Sequence, residues 1–126
     1  MSDDKKLIIV LGSNYHPMQH IRHAEIMLKE HFPDIIFSAH LRTKPIGIAS
    51  PHFVNTLAVC SAKGDLEDTL RDIKRIEHSC GDTMQQRKNG VIVIDIDLLR
   101  FGDKKLHKDD WERPYIRQLL EEMNLI

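Results

Sequence analysis

The nine residues Val91-Ile92-Val93-Ile94-Asp95-Ile96-Asp97-Leu98-Leu99 leave the chain few options. They read as a buried strand with two carboxylates in its middle. Side chains alternate along a strand, so Ile92, Ile94, Ile96 and Leu98 share one face. Asp95 and Asp97 share the other with Val93, about 6.6 Å apart along the backbone. Two like charges on an apolar strand repel each other and lose hydration. Either a Lys or Arg from a neighbouring element pairs with each, or a cation sits between them. Mg²⁺ suits the second case, because it takes one or two carboxylates and completes its shell with phosphate oxygens and water.

The flanking pattern supplies the rest of an α+β domain. Leu7 to Leu11 is a short apolar run closed by the turn signal Gly12-Ser13-Asn14. A helix follows, with Pro17 in its first turn and Met18, Ile21, Ala24, Leu28 and Phe32 as its apolar stripe. Pro33-Asp34 stops it. Residues 35–42 alternate, with Ile35, Phe37, Ala39 and Leu41 on one side. The loop Thr43 to Pro51 leads to a third strand, 53–61. Asp65 is the expected N-cap of a second helix that turns Leu66, Leu70, Ile73, Ile76 and Cys80 inward and stops at Gly81. A polar loop, Asp82 to Gly90, precedes the carboxylate strand over 91–99. Phe101-Gly102-Asp103 turns out of it, and Pro114 to Met123 forms a short terminal helix.

This order is the ferredoxin-like β-α-β-β-α-β pattern. It predicts a four-stranded antiparallel sheet, with strands near 6–11, 35–42, 53–61 and 91–99. Both long helices lie on one face, and a short C-terminal tail follows. The 126 residues suit a single domain spanning 1–126. A net charge of −1 gives no nucleic-acid surface and no membrane-binding face, and no apolar run is long enough to span a bilayer. The start of the chain has no signal-peptide pattern, and two cysteines, Cys60 and Cys80, fall inside predicted elements. Both features point to reduced core thiols and a cytoplasmic protein. His16, His20 and His23 fall on one face of the first helix, where a solvated polar face is the simpler reading than a metal site.

Several short motifs in fixed order now add up. Leu11-Gly12-Ser13-Asn14 closes the first strand, and Arg42-Thr43-Lys44-Pro45-Ile46-Gly47 follows the second. Phe53-Val54-Asn55 opens the third, and Arg75-Ile76-Glu77 lies on the second helix. Asp95-Ile96-Asp97-Leu98-Leu99-Arg100-Phe101-Gly102 ends the set. In this order they resemble the 6-hydroxymethyl-7,8-dihydropterin pyrophosphokinases of folate biosynthesis, over roughly residues 7 to 115. The resemblance implies transfer of the terminal diphosphate of ATP to the pterin hydroxymethyl oxygen, with release of AMP. It implies that Asp95 and Asp97 are catalytic and hold two Mg²⁺ ions bridging the triphosphate. The reduced pterin would stack on Phe53 and be read by Asn55, beside a wall from Thr43, Pro45 and Ile46. Glu77, Arg87, Lys88 and Tyr115 would serve the nucleotide.

Some features depart from that pattern. The family carries several arginines and a tryptophan in the loop before the paired aspartates. Here the loop holds Asp82, Met84, Arg87, Lys88 and Asn89, with Asn89 at the tryptophan position. A Pro-His segment of the family is Pro114-Tyr115 here. The resemblance also implies a later region with an arginine and an aromatic ring over the pterin, whereas the sequence runs to Ile126. Trp111 or Tyr115 is the candidate replacement for that ring. Two function classes follow: a shortened pyrophosphokinase, or a catalytically impaired relative acting as a nucleotide- or pterin-binding regulatory module, with a homodimer as its assembly.

Overall fold

A computed structural model describes residues 4–44 and 52–126. Its sheet is antiparallel throughout. The strands are β1 (Lys5–Ser13), β2 (Ile36–Phe37), β3 (Leu41–Thr43), β4 (Phe53–Ala62), β5 (Asp95–Phe101) and β6 (Lys104–Lys105). The lateral order is β2-β4-β1-β5-β6, with β3 also paired to β4. Six strands therefore stand where four were expected, for two local reasons.

The first lies between Ile35 and Arg42. Phe37 pairs with Ala58 and Leu41 with Asn55, so four steps on one side face three on the other. Ser38 produces the slip. Its N–H donates to Leu57 O at 2.8 Å, and its Oγ accepts the Leu57 N–H at 2.8 Å. One residue thus uses two ladder positions, and every later side chain changes face. Phe37 packs with one core and Leu41 with the other. The predicted continuous alternation over 35–42 is thereby broken into β2 and β3. The second reason is the hairpin that follows β5. Gly102, at φ +59°, turns the chain so that Phe101 pairs with Lys104.

The carboxylate strand begins later than its composition suggests. Val91 to Ile94 carry no ladder, and β5 starts at Asp95. Asn14 takes the place of a strand neighbour. Its Oδ1 accepts the Ile92 N–H at 2.7 Å, its own N–H donates to Ile92 O at 3.0 Å, and its Nδ2 donates to Gly90 O at 2.9 Å.

Helices α1 (Pro17–His31) and α2 (Leu66–Ser79) cover one sheet face, as their stripes predict. Ile21, Ala24, Leu28, Ile73 and Ile76 pack there on Leu7, Ile9, Leu11, Ile96 and Leu98. Asp65 caps α2 by accepting the Asp68 N–H at 2.8 Å, and Gly81 ends the run at φ +94°. Two stripe positions differ. Met18 and Leu70 are exposed, at 36% and 41%. On α2 the buried places beside Ile73 and Ile76 belong to Thr69 and Glu77. The polar loop also contains a helix, α3 (Met84–Lys88), capped by Thr83 Oγ1 on the Gln86 N–H.

The opposite sheet face is covered by what the sequence presents as a tail. A 3-10 turn (Lys108–Glu112) and α4 (Pro114–Glu122) place Trp111, Ile116, Leu119 and Leu120 on Ile8, Val10, Leu57 and Leu99. Trp111 is the anchor. Its indole N–H donates to Leu99 O at 3.2 Å and Leu106 O at 3.0 Å, and its ring is buried. Among the described residues no helix is long and apolar enough to cross a membrane. Trp111→Ala should remove both bonds and leave a large void, at a loss of ~3–5 kcal/mol. Urea denaturation measures it, and a loss near zero would mean that α4 does not depend on this contact.

Candidate functional site

The cavity is built around a glycine. On the face shared by Ile8, Val10 and Gly12, the last covered row of the sheet is Leu57–Val10–Asp97 and the next is Asn55–Gly12–Asp95. Ile116 and Tyr115 from α4 overhang the first of these rows. At the second, β1 presents no side chain. A Cβ on Gly12 would lie 3.0 Å from Asn55 Oδ1 and 3.7 Å from Phe53 Cδ1. The result is a cavity of about 340 Å³ with Gly12 in its wall, within the usual range for small-molecule sites.

The walls bring together residues far apart in sequence. β4 supplies Phe53 and Asn55, the end of β3 supplies Thr43, and β5 supplies Asp95 and Asp97. Arg87 enters from α3, and Tyr115 from the start of α4. Asn55 is buried and its amide is fixed, since Nδ2 donates to Thr43 Oγ1 at 2.8 Å. That bond leaves Oδ1 turned toward Gly12 and the open space. Pro45 and Ile46 lie outside the described residues.

Other expected site residues are elsewhere. Glu77 does not reach the cavity. It is buried under β5, where Oε2 accepts the Ile96 N–H at 2.8 Å and Oε1 meets Lys74 Nζ at 3.0 Å. Its role there is to satisfy an edge donor of the carboxylate strand. Lys88 is exposed and outside the cavity wall, because successive helix residues point about 100° apart and Arg87 holds the inward position. Val93 is buried beside Gly81, and Ile92 lines the cavity instead, since the Asn14 bonds take this stretch out of strand alternation. Trp111 is core, so of the two aromatic candidates only Tyr115 borders the cavity. Burial raises the pKa of the Tyr115 phenol.

Three further residues reach the site without a periodic signal in the sequence. Asp110 and Arg113 line the cavity and pair with each other at 2.9 Å. Their i, i+3 spacing across the start of a helix was the available clue. His107, at φ +50°, brings Nε2 to 4.0 Å from Asp97 Oδ1.

The charges are unevenly met. Arg87 Nη2 donates to Asp95 Oδ1 at 3.1 Å, and Arg87 Nε donates to the buried Asp82 at 2.6 Å. Among the described residues Asp97 has no arginine or lysine partner, and His107 Nε2 stands 4.0 Å from it. Burial, and then the adjacent Asp95 carboxylate, push its pKa up to about 8. The two thiols are inert by comparison. Burial raises Cys60 to about 12 and Cys80 to about 11.

The family model for 7,8-dihydro-6-hydroxymethylpterin-pyrophosphokinase matches residues 8–125. The chain belongs to this family. It is also similar to a folate synthesis bifunctional protein of Arabidopsis thaliana, with 25% identity over 123 residues. That match covers 89% of this chain and 25% of the plant protein, so the chain spans about a quarter of its relative's length.

Enzymes of this family use ATP with Mg²⁺, and the donor set fits such an ion. Asp95 and Asp97 offer hard oxygen ligands from one face of β5, and Asp97 is desolvated beside a like charge. Among the described residues no group of three or more His, Cys, Asp or Glu is placed to hold a metal. Two carboxylates alone leave most of an octahedral shell to phosphate oxygens and water.

The raised Asp97 pKa carries a sign. The folded chain holds this proton longer than the unfolded chain, so the associated stability is full below about pH 4. It is lost as pH rises through about 8. Without divalent ions, Asp97→Asn should therefore gain stability relative to wild type between those limits. Urea melts across this pH range test it, and a constant difference between the two proteins would refute the assignment.

Proposed function

We propose that this chain transfers diphosphate from ATP to the hydroxymethyl group of 6-hydroxymethyl-7,8-dihydropterin and releases AMP, as a step of folate biosynthesis. The observation that carries the reading is the row Asn55–Gly12–Asp95. It sets the candidate ring wall of Asn55 beside Asp95, with Gly12 presenting no side chain between them, and this supports the reading.

Each half suits one substrate. The pterin stacks on Phe53, and its amide edge donates to Asn55 Oδ1, which Thr43 keeps oriented. Such a pocket rejects a ring lacking that donor, because the buried Oδ1 would be left unmet. On the other side, Asp95 and Asp97 would hold Mg²⁺, two ions in the arrangement that the family resemblance implies. When bound, Mg²⁺ neutralises triphosphate charge and orients the phosphates. Arg87 and Arg113 border the same space and donate to phosphate oxygens. Tyr115 closes the side toward α4.

Transfer forms a bond between the hydroxymethyl oxygen and the β-phosphorus and breaks the bridge to the α-phosphate, so AMP leaves. Such a reaction asks the protein for alignment and charge neutralisation more than for a covalent partner. The adjacency of the two sites across a bare glycine supplies the alignment.

Purified protein with ATP, Mg²⁺ and the reduced pterin should release AMP in step with pterin consumption. Binding of both substrates without AMP would assign the chain to the regulatory alternative. Asn55→Ala should weaken pterin by ~1–3 kcal/mol and leave ATP nearly unchanged. Equal losses for both ligands in calorimetry would remove the pterin reading of this wall. Gly12→Ala should impair both substrates while the fold survives, because its Cβ enters the space between them. Unchanged affinities for both in that variant would show that the cavity is not the site.

A further inference from the structure

Two arrangements can settle the Asp95–Asp97 charge: an arginine partner or a cation. The structure contains the machinery for both. A guanidinium carries Nε and Nη2 as adjacent donors, spaced to match both oxygens of one carboxylate. In Arg87 this fork is split. Nε donates to Asp82 Oδ2 at 2.6 Å, while Nη2 donates to Asp95 Oδ1 at 3.1 Å and to Ile94 O at 3.2 Å. The Asp82 side chain is 5% exposed. Its second oxygen, Oδ1, is buried and, among the described residues, accepts no hydrogen bond. Buried acceptors are normally met.

We propose that Arg87 is an internal counter-ion of the Asp95–Asp97 pair, and that Asp82 is the positioning residue that receives it when a divalent cation and a polyphosphate arrive together. This rests on the reading of the aspartate pair as a cation site. Moving Nη2 from Asp95 to Asp82 Oδ1 turns the split fork into a bidentate pair and satisfies the buried oxygen. The same motion frees Asp95. Glu77, 3.6 Å from Nη2, keeps its own neutralisation, because Lys74 lies 3.0 Å from it. The Arg87 side chain is 31% exposed and borders the cavity, so an anion there meets its remaining donors.

A cation alone must displace a charged hydrogen bond from Asp95. A cation with a polyphosphate gives the displaced guanidinium an anion to hold. Each ligand therefore strengthens the other by the same factor. The device offsets part of the carboxylate charge when the site is empty and disfavours occupation by a bare cation.

Calorimetric titration of Mg²⁺ into metal-free protein, with and without inorganic tripolyphosphate, reads this coupling directly. Arg87→Gln should bind Mg²⁺ alone about tenfold more tightly than wild type, by loss of a charged hydrogen bond at Asp95, and should lose most of the gain that tripolyphosphate gives wild type. Lys88→Gln removes the same charge from the neighbouring exposed position and should change Mg²⁺ affinity by less than about twofold. Asp82→Asn should shift Mg²⁺ affinity the opposite way to Arg87→Gln, because the carboxylate that receives the displaced guanidinium is then gone. Arg87 and Lys88 are not core residues, so their variants carry the test even if the Asp82 variant is poorly folded. Wild-type Mg²⁺ affinity in Asp95→Asn and Asp97→Asn would overturn the cation site itself. If those two lose Mg²⁺ while Arg87→Gln gains nothing over Lys88→Gln, the site stands and the counter-ion proposal falls.

Discussion

One missing side chain organises the molecule. β1 is the central strand, paired on both sides, and it is covered above and below for most of its length. Only at Gly12 does the face toward α4 go bare. A protein interior packs to crystal-like density, so a gap inside a sheet face survives only where covering elements stop short and no Cβ fills it. Both conditions hold here. α4 reaches Ile116 and Tyr115 and no further, and a Cβ on Gly12 would press against Asn55. The floor of the cavity is a feature of the sheet, framed by the pairings Gly12–Asn55 and Gly12–Asp95.

Electrostatics adds a second constraint on the gap. Glu77, Asp82, Asp95, Asp97 and Asp110 gather around Arg87, Arg113 and Lys74. Most of these carboxylates have a basic partner within 3.1 Å. Among the described residues Asp97 is the exception, with His107 no nearer than 4.0 Å, and burial beside Asp95 pushes its pKa to about 8. A group kept protonated by its surroundings gains strongly from a nearby cation, because the cation removes the cause of the shift. The site is thus closest to charge balance when a metal and a polyanion are both present, which agrees with a diphosphate transfer.

Much of this was legible in the sequence, for physical reasons that differ by element. Strand β5 announced its two faces because period-two alternation is unbroken from Ile94 to Leu98. The second helix announced its N-cap and its stop because Asp and Gly are chosen there for backbone reasons. The second strand failed because Ser38 donates and accepts like a residue and a half, and a serine in a polar position carries no warning of a bulge. Leu70 and Met18 were misplaced because apolar spacing predicts a stripe but not its width, and Thr69 and Glu77 took the buried places. Glu77 misled in a further way. It was expected to serve the nucleotide from the second helix, whereas its oxygens serve the Ile96 N–H and Lys74. Asp110 and Arg113 offered only their i, i+3 spacing as a clue, and His107 offered none. Asp110 and Arg113 reach the cavity, and His107 approaches Asp97, because Trp111 is fixed to Leu99 and Leu106, which sets where the chain on either side must lie.

That last dependence joins the fold to the chemistry. Strand β5 contains a bulge, since Ile8 pairs with Arg100 and Ile9 with Leu98. The extra residue, Leu99, turns its carbonyl to Trp111 and to the Leu106 N–H. Two residues before the bulge stands Asp97, and two residues after Trp111 stands Arg113, followed by Tyr115 in the first turn of α4. A bulge bends its strand and increases the local twist. The irregularity that docks the terminal helix therefore also fixes the far side of the site relative to the carboxylates. Chain ends of this kind, amphipathic and packed through one indole, are usually counted as stabilising additions. Here α4 and its 3-10 turn form one wall of the cavity, and the face they leave uncovered is the face where the aspartates and Asn55 meet.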